Sequence, residues 1–274
     1  MLSIIIPASN ESALIGSCLE AVLASDPLPC AHEVIVVANG CTDDTAKVAR
    51  CLRDKAAARG WGLRVIELGQ GGKPGALNAG DAAARGPMRA YLDADVTVSP
   101  PLLAQIVAVL DRPEAAYASG RANITAQHSW VSRAYARIWR RVPFMRQGVP
   151  GCGFFAVNAL GRARWGAFPA IISDDTFVRL QFTPAERHLV QASYDWPIAE
   201  GFGALVRVRR RQDAGVAEVA AKYPAIILRD GTPSLGISGL ARLALRNPLG
   251  FAVYAAVALG VRLSPGTSGW SRSR

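Results

Sequence analysis

Four carboxylates in two pairs are the clearest chemical signal in this chain. Asp93 and Asp95 stand one residue apart at the end of the apolar run Met88–Leu92, and Asp174 and Asp175 are adjacent behind Ser173. Alternation along a strand would point Asp93 and Asp95 to one face. Two hard oxygen ligands there suit Mg2+ or Mn2+, which keep positions open for phosphate oxygens. A solvated turn is the plainer reading of such a pair. Ser173-Asp174-Asp175, ahead of an amphipathic stretch, has the form of a helix N-cap. Adjacent carboxylates also raise one pKa through like-charge repulsion, which helps a base work near neutrality.

The elements that position these groups follow from the apolar pattern. Strands are expected at 2–7, 33–38, 63–68 and 88–92, alternating with helices to about 25, over 42–58 and after Gly69–Gly75. That order predicts βαβ units, a mostly parallel sheet and helices on both faces. Ligands of such sheets bind at the carboxyl ends of the strands. Pro7-Ala8-Ser9-Asn10-Glu11, Asn39-Gly40 and Asp93 all fall there. The first of these segments lacks the Gly-x-Gly-x-x-Gly of dinucleotide folds, so phosphates must be neutralised elsewhere, as a metal at Asp95 would do. Asn10 and Glu11 also suit a helix cap. Asn39 and Gly40 suit a tight turn, although the Asn39 amide could meet a nucleobase edge. Lys73 is a cation beside exposed backbone amides, a reasonable diphosphate contact. Beyond Pro100, helices are expected at 101–111, 129–142 and 212–222, with another starting in 174–182. Short strands are expected near 115–119 and 152–157. A boundary near Asp230–Pro233 divides a domain at 1–230 from a C-terminal helical segment at 231–274.

Pro7-Ala-Ser-Asn10-Glu11, Asn39-Gly-Cys-Thr-Asp43-Asp-Thr, Gly72-Lys73-Pro-Gly-Ala-Leu-Asn78-Ala-Gly80 and Asp93-Ala-Asp95 together resemble the family 2 glycosyltransferases in order and spacing. These are inverting enzymes of the nucleotide-diphospho-sugar transferase superfamily. The resemblance implies an α/β, GT-A type fold with a mostly parallel central sheet, to which this chain adds a C-terminal helical, apolar appendage. It implies donor contacts at Pro7, Ala8, Asn10, Glu11, Asn39, Lys73 and Asp93, and Mg2+ or Mn2+ held by Asp95 with Asp93. It makes Asp175 the candidate general base and Asp174 its neighbour. Gly151 and Gly153 fall in the segment lining the acceptor cleft, and Arg210 and Arg211 in the basic motif beyond it. Members often carry Asp-Asp where this chain has Ala38-Asn39, which bears on the choice among UDP, GDP and dTDP. The Gln-x-x-Arg-Trp of processive synthases is missing, so transfer of a single sugar is expected. A sugar-phosphate nucleotidylyltransferase is the alternative enzyme, but it would open with a Gly-rich, Arg-bearing loop. A degenerate, membrane-associated nucleotide-sugar scaffold is the non-catalytic alternative, and the intact carboxylate pairs argue against it.

Charge narrows the partners. The chain carries +10 overall, but residues 1–114 hold 10 Lys/Arg against 13 Asp/Glu, while 115–165 hold 8 against none. Arg133, Arg137, Arg140 and Arg141 form one helical stripe opposite Val131, Tyr135, Ile138 and Val142, as in helices that lie on anionic lipid and equally in solvated helices over a core. Asn247–Val261 is an uncharged run of 15 residues, short of the roughly 20 that span hydrocarbon. Peripheral membrane contact and an ordinary buried helix both remain open for it. No signature of nucleic-acid binding accompanies the arginines. Five scattered cysteines and three histidines suggest neither disulfides nor zinc. The N-terminal stretch lacks a signal-peptide pattern. A cytoplasmic protein is expected, either free or peripheral on the cytoplasmic face of a membrane. Its partners are expected to be a nucleotide-sugar donor and a lipid-linked or small-molecule acceptor.

Overall fold

The computed structural model describes residues 1–263; the last part of the expected C-terminal segment, 264–274, lies outside them. The chain runs β1 (Leu2–Ala8), α1 (Ile15–Leu23), β2 (His32–Asn39), α2 (Thr45–Cys51), α3 (Arg53–Ala58), β3 (Gly62–Leu68), α4 (Lys73–Ala83), β4 (Met88–Leu92), β5 (Thr97–Val98) and α5 (Leu102–Leu110). It continues through β6 (Tyr117–Thr125), α6 (Trp130–Trp139), α7 (Pro143–Gln147), β7 (Phe154–Val157), α8 (Ala159–Arg162), α9 (Asp174–Arg179) and β8 (Arg187–Pro197). It ends in α10 (Phe202–Lys222), α11 (Pro224–Ile227), α12 (Gly236–Arg246) and α13 (Pro248–Leu263).

These strands form one sheet in the order β3-β2-β1-β4-β7-β6-β8-β5. The first four are mutually parallel, as the β/α alternation requires. The other half is mixed: β7 runs antiparallel to β4 and β6, β8 parallel to β6, and β5 antiparallel to β8. Strand β1 is buried on both faces, so its side chains serve two cores. Ile4 and Ile6 pack with α1 and α5, whereas Ile5 packs with Leu77 of α4 and Phe168. A third cluster joins α6, α10 and α13 through Tyr135, Leu205, Val206 and Val257.

The structure departs from the sequence-based expectations at several elements. The first helix begins at Ile15 with Leu14, which has no side-chain acceptor, at the cap position, while the Asn10 side-chain oxygen and the Ser12 N–H are bonded to the loop after β2. The helix expected over 42–58 breaks at Leu52 into α2 and α3. Strands β5 and β8 were not anticipated, and α10 starts ten residues early, so that Arg207–Gln212 is helical. Asp93 and Asp95 do not alternate along a strand. The ladder ends at Leu92, the Asp93 N–H donates to Gly153 O at 2.8 Å, and Val96 N–H returns to Asp93 O at 3.1 Å, closing a turn.

At the C-terminus, α13 lies on α6 and α10, with Val257 fully buried and Tyr254 stacked on Tyr135 at 5.1 Å. The apolar run at 247–261 thus has one face committed to packing. Among the described residues no helix is long and apolar enough to cross a membrane.

The segment between α7 and β7 needs glycine. Gly151 has φ +68°, and a Cβ there would lie 1.9 Å from the buried Tyr117 hydroxyl oxygen. Backbone strain and overpacking add, so Gly151→Ala is expected to cost about 2–4 kcal/mol in urea unfolding. A loss below about 0.5 kcal/mol would show that the segment relaxes without consequence.

Candidate active site

A cleft of about 530 Å³ opens where the carboxyl ends of β1, β2 and β4 meet α9, β8 and α10. From the parallel half come Pro7, Asn10, Glu11, Asn39, Lys73, Asp93 and Asp95; from the mixed half come Gly153, Asp174, Asp175, Trp196, Arg211 and Gln212. Both carboxylate pairs, far apart in sequence, therefore line one cavity.

The donor-side loops are held by side chains bonded to backbone. The Asn39 amide donates to Ala8 O at 2.9 Å and to Val37 O at 3.4 Å, and its oxygen accepts from Gly72 N at 2.9 Å. Buried and committed in this way, Asn39 ties β1, β2 and the loop before α4 together. Ala8 is itself buried and takes part through its carbonyl. Asn10, with φ +54°, accepts from Thr42 N at 2.7 Å, an αL conformation that asparagine tolerates. Asp43 accepts from Ser12 N, Thr45 N and the Thr45 hydroxyl at 3.1, 3.0 and 2.5 Å. Burial pushes the Asp43 carboxyl up, but these donors outweigh it and hold its pKa down at about 2.

Lys73 joins the two halves. Its ammonium lies 2.9 Å from Asp93 Oδ1 and 3.2 Å from Asp174 Oδ2. Burial opposes its charge, but Asp174, then Asp93 and Asp175, more than compensate and raise its pKa. Helix α4 is fixed behind it. Asn78 bonds both the N–H and the carbonyl of Phe168 at 2.6 and 3.1 Å, and Asp81 meets Arg162 at 2.6 Å and the Tyr91 hydroxyl at 2.8 Å.

Asp174 and Asp175 occupy the first turn of α9, where the helix dipole favours negative charge. Ser173 supplies no side-chain cap. Asp175 gives one oxygen to Thr176 N at 2.7 Å and still lines the cleft, so it serves helix and cavity together. Burial and then repulsion from Asp174 raise its pKa to about 6, against the pull of Lys73. Burial also raises Asp174. The Cys152 thiol beside them is pushed well up, by burial first and Asp175 second, and stays protonated.

The other wall is aromatic and cationic. Trp139 and Trp196 lie 5.2 Å apart, and Arg209 donates to the Tyr135 hydroxyl at 3.1 Å and the Tyr254 hydroxyl at 3.4 Å. Gly153 has φ +74°, and a Cβ on it would meet Trp196 at 2.9 Å. Gly151 lines a smaller recess with Lys73 and both α9 carboxylates. Arg211 lines the cleft, whereas Arg210 is not among its lining residues. Trp196 escaped the sequence reading, whereas Cys152 lies within the Gly151–Gly153 segment expected to line the acceptor side. The alternation of buried Val190, Ala192 and Tyr194 with Gln191, Ser193 and Asp195 was the available sign of the strand that carries Trp196.

Asp95 lines the cleft in the turn after β4, next to Asp93, which is paired with Lys73. Among the described residues no group of three or more His, Cys, Asp or Glu converges on a metal position. An ion completed by phosphate and water oxygens needs only one or two carboxylates, and Asp95 beside Asp93 fits that chemistry.

A half-parallel, half-mixed sheet with a strand-end cleft defines a GT-A type glycosyltransferase fold. Residues 3–164 match the family described as "Glycosyl transferase family 2", and the chain belongs to it. The mannosyltransferase PcManGT from Pyrobaculum calidifontis, solved with GDP-Man and Mn2+, aligns over 97% of this chain and 76% of its own, with TM-score 0.63 and 22% identity. S. aureus TarS 1–349 with UDP-GlcNAc aligns over 95% of this chain and 81% of its own, with TM-score 0.56 and 16% identity. Dodecaprenyl-phosphate galacturonate synthase of Rhizobium johnstonii is 34% identical over 115 residues, 41% of this chain and 33% of that protein. Beta-monoglucosyldiacylglycerol synthase of Synechocystis is 32% identical over 113 residues, 40% of this chain and 23% of that protein. The chain thus spans about a third and about a quarter of these two relatives' lengths.

A carboxylate raised to about 6 from an unfolded value of 3.8 binds its proton more tightly in the folded state. Its penalty is absent below the unfolded pKa, grows between the two values, and is complete above about 6. Asp175→Asn is therefore expected to stabilise the fold by about 1–3 kcal/mol at pH 7.5 and to leave it unchanged near pH 3.5. Urea unfolding at the two pH values measures this; an equal effect at both would contradict the raised pKa.

Proposed function

We propose that the chain is an inverting, metal-dependent glycosyltransferase that moves one sugar from a nucleoside-diphosphate donor to an acceptor hydroxyl by direct displacement. The carrying observation is that Asp175, with a pKa near 6, opens on the same cleft as Asp95 and the strand-end loops. Solved relatives of the same fold hold GDP-Man with Mn2+, and UDP-Glc with Mn2+, which supports this choice of donor class and ion.

In this reading the donor diphosphate lies beside Lys73 and Asp95. Asp95, supported by Asp93, holds Mg2+ or Mn2+. When bound, the ion neutralises charge on the leaving diphosphate. Pro7, Asn10 and Glu11 line the nucleoside end, with Asn39 setting the position of their loops rather than pairing with the base, since its amide is already committed. Lys73 keeps the cleft's carboxylates from repelling one another and presents its charge to the diphosphate. Asp175 takes the proton from the acceptor hydroxyl as oxygen attacks the anomeric carbon, and Asp174 tunes it through charge. Trp139 and Trp196 offer flat apolar faces to the acceptor side, with Arg211 and Gln212 beside them. The absence of Gln-x-x-Arg-Trp after α9 favours a single transfer over processive synthesis. Five free thiols accord with a reducing compartment.

Two variants separate the roles. Asp175→Asn should lower kcat by about 10²- to 10⁴-fold with donor affinity nearly unchanged. Asp95→Asn should abolish the Mn2+-dependent part of nucleoside-diphosphate binding, read by calorimetry with and without the ion. Donor and metal binding like wild type in Asp95→Asn would remove the metal assignment. Full turnover in Asp175→Asn would remove the base.

A further inference from the structure

Helix α12 turns its apolar side outward. At about 100° per residue, Ile237, Leu240, Ala241, Ala244 and Leu245 form one continuous stripe. Ile237 is 88% and Leu245 85% exposed, while only Leu243 of this helix is buried, on the opposite flank. Helix α13, packed on α12, exposes leucines of its own, Leu249, Leu259 and Leu263, at 59%, 56% and 74%. A solvated helix places such a stripe on its core; here that position is reversed. Contiguous exposed apolar surface of this kind marks a contact site.

Charge selects the occupant. Residues 231–263 contain three arginines, Arg242, Arg246 and Arg262, and no carboxylate. On α12, Arg242 lies about 60° beyond Leu245, the nearer flank of the stripe, where its stem can lie along apolar surface, and Arg246 lies on the far side of the helix. A second copy of this chain would bring together two segments that each carry three arginines and no carboxylate, because a two-fold contact repeats one surface on both sides. An anionic lipid leaflet complements both features: leucines enter the acyl boundary and arginines meet phosphate headgroups. Over its 16 described residues α13 falls short of a span, and its inner face is already packed on α6 and α10. A flat position on the surface is the geometry left to it.

We infer that the outer face of α12 and α13 is a docking surface for a membrane leaflet containing anionic lipid. The inner face of α13 backs Tyr135, which lines the cleft.

The test is flotation of the full chain with phosphatidylcholine vesicles, with and without about 30% phosphatidylglycerol, and at roughly 0.5 M salt. No nucleotide or metal is present, so the outcome is independent of the transferase reading. Binding is expected to require the anionic lipid and to weaken with salt. Ile237→Glu with Leu245→Glu, and separately Arg242→Glu with Arg246→Glu, should each reduce bound protein about tenfold. These side chains lie at the surface, and unchanged circular dichroism and Tm certify the fold of each pair. Absence of vesicle binding in wild type, or binding indifferent to both pairs, overturns the proposal. So does a concentration-dependent dimer that the Ile237/Leu245 pair dissolves while vesicles bind neither form, because a second copy then occupies the face.

Discussion

The ammonium of Lys73 is the contact on which the cleft depends. It stands at the first residue of α4, a helix N-terminus that disfavours positive charge, and partial burial disfavours it further. Asp93 comes from the turn after β4 and Asp174 from α9, so one cation spans the parallel and mixed halves of the sheet. Without that cation, Asp93, Asp174 and Asp175 would face each other across a partly desolvated space. Like charges at that distance shift pKa values strongly and weaken the fold that holds them. The carboxylates and the lysine are therefore mutually required, and the backbone is arranged to keep both.

That arrangement is expensive in local terms and supported at a distance. Helix α4 is held through Asn78 to the Phe168 loop and through Asp81 to Arg162 and Tyr91. On the other side, Gly151 and Gly153 adopt positive φ so that Tyr117 and Trp196 can approach the backbone. The Gly153 carbonyl in turn receives the Asp93 N–H. A charged site of this kind is destabilised by its own chemistry, and buried neighbours offset the loss. Asp175 is the clearest case: the burial that raises its pKa lowers stability at neutral pH, and the proposed base role draws on that same shift.

Much of the parallel half was legible in the sequence because its strands are continuous apolar runs bounded by turn residues, and Asp93, Asp95 and Lys73 sit where those runs stop. What escaped had physical reasons. Strand β8 carries Arg187, Gln191 and Asp195 among its apolar residues and pairs only with strands far away in sequence, so its local pattern is diluted. The start of α10 was hidden because Phe202–Arg211 mixes β-branched residues with four arginines, and only packing against α6 and α13 decides for helix. Asn10 and Asn39 read equally well as cap, turn or ligand contact. Their hydrogen bonds to Thr42, Ala8 and Gly72 join loops that sequence spacing does not place together.

A double-mutant cycle on Lys73 and Asp174 tests most directly whether one ion pair holds the cleft. Urea unfolding of wild type, Lys73→Met, Asp174→Asn and the double variant gives the coupling energy at neutral pH. Breaking a buried pair from one side is costly because a charge is stranded, so Lys73→Met is expected to destabilise far more in the wild-type background than in the Asp174→Asn background. A coupling of about 1–3 kcal/mol is expected. Additive effects, with Lys73→Met equally costly in both backgrounds, would contradict the account.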